Sequence, residues 1–129
     1  MSGWDPAATA LLTVLPQTAR GPRREGIFAL WLTVRVAQDL LRDPAPPERA
    51  HRRRLQALEH RLSSLTLPPP LRRALVAAIS QLKDARPETA AQVLSQLVAP
   101  AREAGGAEAG EALAQAVRAA RAAVRAERA

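Results

Sequence analysis

Cysteine, tyrosine and asparagine are absent from the 129-residue chain, and phenylalanine, lysine and methionine each occur once. Without cysteine there is no disulfide scaffold and no thiolate metal site. The residues that pack a pleated surface are also scarce: eight valines, two isoleucines and three aromatic rings in all. That shortage excludes an all-β fold, because sheets depend on branched and aromatic side chains. Long apolar runs are missing too. The most apolar stretch, Ile27 to Val36, is interrupted by Thr33 and Arg35, about half the length needed to span a bilayer. The N-terminal sequence has no basic leader, and its apolar run stops at Pro16. These features predict a soluble cytoplasmic protein with no membrane partner.

What is present is helical material. Alanine supplies 29 positions, leucine 18 and arginine 18, all strong helix formers. A chain of this length is the size of one domain with one modest core. The formal charge is +7, which invites a nucleic-acid partner. Eighteen of the nineteen basic residues are arginine, however, and residue types with A/T-rich codons are rare throughout. A bacterial-like, G/C-rich genome produces much of that pattern without selection for phosphate binding. The deficit of acids, twelve against nineteen bases, is not a codon effect, so a real excess of positive charge remains.

Prolines and glycines divide the chain into six predicted helices. Asp5-Pro6 resembles an N-cap followed by proline at the first helical position, opening a short helix to about Leu15. Trp4, just before that cap, is placed to staple against Ala8 or Thr9, with an exposed anchor for a partner as the other role open to it. The second helix, about 23–42, carries Ile27, Leu30, Trp31, Val34 and Leu41 at helical spacing. Phe28, Leu32, Val36 and Leu40 spread over its other faces. A helix apolar nearly all round belongs in the middle of a bundle, with Trp31 in the core. The third helix, about 47–65, has one seam of Leu55, Leu58, Leu62 and Leu65. The fourth, about 69–84, buries Leu71, Leu75, Ala78, Ile79 and Leu82. The fifth opens at Arg86-Pro87, turns Val93, Leu94, Leu97 and Val98 inward, and ends near Pro100 or Glu103.

Gly105-Gly106 marks a stop. Residues 1–104 thus form a helical core, and 105–129 a Gly-Gly hinge with an alanine- and arginine-rich last helix, either part of the same domain or an extension that docks a partner. Its stripe of Leu113, Val117, Ala120 and Val124 is narrow, so this helix is expected to add least to the core and to lean on a partner chain for its ordering. The expected fold class is all-α, a compact bundle of five to six helices. One internal echo, Ile79-Ser80-Gln81-Leu82 against Leu94-Ser95-Gln96-Leu97, has an offset that fits no common helical repeat and is taken as coincidence.

Catalysis has little to draw on. A zinc site needs three or four converging ligands, yet the two histidines, His51 and His60, stand nine residues apart on one helix. Nine residues turn through about 900° and leave the rings on opposite sides. No glycine-flanked serine elbow and no phosphate-cradling loop is present. Arg35 and Asp39, four apart, are expected to form an ordinary ion pair along their helix. No catalytic residue, cofactor, metal or small-molecule substrate is therefore expected.

Two arginine clusters remain as candidate partner- or phosphate-binding residues: Arg52, Arg53 and Arg54 on the third helix, and Arg118, Arg121, Arg125 and Arg128 on the last, at 3–4–3 spacing. Guanidinium groups bind phosphates bidentately, but there are no exposed aromatics to stack single strands and no tight turn before a recognition helix. The function expected first is a non-catalytic helical interaction module, an adaptor or assembly subunit with a protein partner or a second copy of itself. A sequence-tolerant nucleic-acid-binding protein is the alternative.

Overall fold

The computed structural model describes residues 22–128 and shows an all-α bundle. Five helices follow one another: α1 (Pro22–Arg42), α2 (Glu48–Ser63), α3 (Pro69–Leu82), α4 (Pro87–Gln96) and α5 (Val98–Arg128). The predicted helix at 6–15, and Trp4 with it, lies outside the described residues.

Proline sets the starts. α3 opens on Pro69-Pro70 and α4 on Pro87, where a missing N–H leaves no bond unmade. None of α2, α3 and α4 has a side-chain N-cap, the cap positions being Pro47, Pro68 and Arg86. α4 ends at Gln96, earlier than its apolar pattern suggests. Pro100 cannot donate to the Gln96 carbonyl and its ring would clash there, so the chain turns at Leu97 and a new helix begins at Val98, with Pro100 in its unbonded first turn. The predicted stop at Gly105-Gly106 is a break inside α5: Gly106 has φ 87° and ψ −178°.

α1 packs against all four other helices, as its nearly all-round apolar character predicts. Ile27, Leu30 and Val34 are fully enclosed. α2 packs on α1 and α3, α3 on α4, and the most extensive contact of all joins α4 to α5. The C-terminal helix therefore contributes more than its narrow stripe suggests. Ala109, Leu113, Ala116, Val117, Ala120 and Val124 are all buried within the chain. Small side chains on both partners, Ala90 and Ala91 on α4 among them, let the two backbones approach closely, and dispersion rises steeply with closeness. Gly110 extends the same economy of space: a Cβ there would lie 2.9 Å from Cβ and Nε of Arg102, so the two halves of α5 meet only because it has none.

Polar links tie the connectors. The Thr66 amide donates to Glu25 of α1 at 2.9 Å, and Arg72 donates to the Leu65 carbonyl at 2.7 Å. Asp84 accepts from both Arg86 and Thr89 between α3 and α4. The two glutamines of the internal echo meet, Gln81 donating to Gln96 at 2.9 Å, and the leucine and isoleucine positions around them are buried on both helices. Among the described residues no helix is long and apolar enough to cross a membrane.

Candidate functional site

The histidines sit as their spacing requires. His51 is buried and its Nε2 lies 2.7 Å from the carbonyl oxygen of Leu82, while His60 faces solvent. A carbonyl only accepts, so Nε2 carries the proton of this bond. Among the described residues no group of three His, Asp or Glu side chains is gathered as a metal site would need.

Arg52, Arg53, Arg54, Arg118, Arg121 and Arg125 are exposed but differently engaged. Arg52 pairs with its own helix through Glu48 at 2.6 Å. Arg53 points outward. Arg54 reaches across to Asp39 of α1. This overturns the expected Arg35–Asp39 pair: the guanidinium of Arg35 lies over the Trp31 ring, 5.3 Å from its centre, and Asp39 is taken by α2. A flat guanidinium gains both stacking and attraction on an indole face. On α5, Arg118 makes a long 3.4 Å contact with Glu111, and Arg121 and Arg125 flank a groove against Glu88, Gln92 and Gln96 of α4. Arg128 is the last residue of the helix. The clusters stand on helices with different neighbours, α2 on α1 and α3, α5 on α4 and α1, and do not merge into one site.

What the structure does assemble is a groove between α1 and α2. Trp31, Leu32 and Val36 from α1 and Ala57 and Leu58 from α2 form an apolar floor, and Arg35, Arg54 and Arg61 stand around it. Its volume is about 270 Å³ and it opens to solvent. Arg61 lies over Phe28, 5.3 Å from the ring centre, and Phe28 stacks on Trp31 with centroids 5.9 Å apart. Two arginines and two aromatic rings thus form one continuous surface. Trp31, predicted for the core, is half-buried at this edge instead. Its indole N–H is buried without an acceptor, alone in this among the side-chain groups described; a buried donor left unpaired costs about 1–3 kcal/mol. The helical spacing of 28, 31 and 35 on α1, facing 54, 57, 58 and 61 on α2, carries the signal of this groove. The sequence offers no way to tell it from a core stripe, because α1 is apolar on every side.

Compared with known protein families, curated proteins and solved structures, the chain matches none.

Proposed function

We propose that this protein is a helical module that binds another protein, with no chemistry of its own, and that its docking site is the groove between α1 and α2. The observation that carries the proposal is the arrangement at Trp31: an apolar floor left open beside two stacked aromatic rings, walled by three arginines. Tryptophan and arginine are the residues most enriched where binding energy concentrates. The volume lies just below the range usual for small-molecule sites and the groove is not enclosed, which favours a polypeptide over a metabolite.

A nucleic-acid function is the second reading, supported by Arg53, Arg121 and Arg125, which are exposed on a chain of formal charge +7. Phosphate binding draws on such charges whatever surface they share.

Two measurements separate these readings. Photo-crosslinking in cells from a benzoylphenylalanine at position 57, on the groove floor, is expected to give a discrete protein adduct that the same probe at Val76, an exposed residue of α3, does not give. In parallel, anisotropy of labelled duplex DNA and single-stranded RNA is followed at about 50 and 200 mM salt, where each neutralised duplex phosphate contributes a log–log slope of about −0.9. Steep salt-dependent binding that flattens when Arg118, Arg121 and Arg125 become glutamine, with no adduct from position 57, would replace the protein-binding reading by the nucleic-acid one.

A further inference from the structure

Resting on the protein-binding reading, we infer that the occupant of the α1–α2 groove is an acidic amphipathic helix of a partner protein, its apolar stripe on Trp31, Leu32 and Ala57 and its carboxylates on Arg35 and Arg61.

Dimensions come first. From Phe28 to Val36 the surface runs eight residues along α1, about 12 Å at 1.5 Å per residue, or two turns of a docked helix. Helix-in-groove recognition uses anchors at i, i+3 or i+4, and i+7, which is the spacing that two turns present.

Charge decides which helix. Three guanidinium groups surround the floor, none of the residues lining it is acidic, and Arg54 is already paired with Asp39. Arg35 and Arg61 are each braced on an aromatic ring, so their positions are set before a partner arrives and less ordering entropy is lost on binding. A guanidinium donates two parallel hydrogen bonds to a carboxylate. A second copy of this chain meeting groove to groove would set arginine against arginine, a like-charge arrangement that disfavours the pair. The chain's own residues 1–21 supply apolar Leu11, Leu12 and Leu15 but one acid, Asp5, against one base, Arg20, and so do not match the rim.

The test is selection of a phage-displayed library of random 16-residue peptides on the full chain carrying Trp4→Phe, which leaves Trp31 as its one tryptophan. Enriched peptides are expected to show apolar residues at 3–4 spacing with an excess of Asp and Glu. The best of them, synthesised, should shift the emission of Trp31. Its dissociation constant should rise at least tenfold when Arg35 and Arg61 are both replaced by glutamate, and stay within twofold for Arg121→Glu with Arg125→Glu. Neutral or basic consensus peptides, or binding indifferent to the Arg35 and Arg61 reversal, would overturn the inference while leaving the protein-binding reading in place. Enrichment seen only after Leu11→Asp and Leu15→Asp would give the groove to the chain's own first segment and overturn it as well. No enrichment on any variant, together with no crosslink from position 57, would remove both.

Discussion

His51 of α2 closes the C-terminal end of α3: its Nε2 donates to the carbonyl oxygen of Leu82 at 2.7 Å, across thirty-one residues of sequence. The last carbonyls of a helix have no partner within it, and Leu82 is the last residue of α3. A buried side chain from another helix therefore satisfies a group that water would otherwise have to reach. The bond also helps fix how α2 lies against α3, two helices otherwise joined by modest packing.

Replacing His51 by alanine removes the donor and leaves that carbonyl buried, at a cost of about 1–3 kcal/mol. Urea unfolding should show a lower midpoint with an unchanged m-value. The same substitution at His60, which faces solvent, should leave the midpoint within the usual small range for surface positions. Equal effects at the two sites would show that the Leu82 bond does not stabilise the fold.

Gly106 holds φ 87° and ψ −178°, a region that only glycine occupies readily. Alanine there meets no neighbouring atom, so any loss of stability is backbone strain, about 1–3 kcal/mol. Asparagine, which tolerates the left-handed helical region, should not rescue it, because ψ lies far from that region. Thermal melts of Gly106→Ala and Gly106→Asn check this; a wild-type melting temperature for either would mean that the chain does not need this bend.

Arg54 and Asp39 join α2 to α1 with side chains 44% and 31% exposed. Exposed pairs of this kind contribute about 0.2–1 kcal/mol, less at high salt. A double-mutant cycle with Arg54→Ala and Asp39→Ala should give a coupling in that range that shrinks in 1 M salt. A coupling of zero at low salt would show that the pair does not stabilise the fold.

Leu113, 1% exposed, lies in the core against which α5 closes. Leu113→Ala should cost about 2–5 kcal/mol, as for other buried leucines, and deletion of 107–129 should abolish cooperative unfolding by exposing the apolar face of α4. A truncated chain that still melts cooperatively would favour the last helix as an extension that docks a partner.

Much of the fold is legible in the sequence because its causes are local. Proline at 69 and 87 sets the starts of α3 and α4 whatever surrounds it. The end of α4 at Gln96 and the run of α5 through Gly105-Gly106, by contrast, depart from a pattern that puts one helix end near 100–103 and the next start near 107. Periodicity likewise places Leu55, Leu58 and Leu62, or Leu75, Ile79 and Leu82, on one face of each helix. A period names a face, but it does not say what covers that face. α1 is apolar nearly all round, so nothing in its own residues tells which side stays open, and Trp31 and Phe28 are assigned to the groove only by where α2 comes to rest. The same holds for Arg35 and Asp39: four residues apart, they are neighbours by helix geometry, yet an indole beneath one and Arg54 beside the other prove closer. The bond from His51 to Leu82, the exchange of ion-pair partners and the arginine-walled groove all depend on contacts between helices, which arise from how five cylinders of different girth fill one volume. That choice belongs to tertiary packing, because only there do residues distant along the chain compete for the same space.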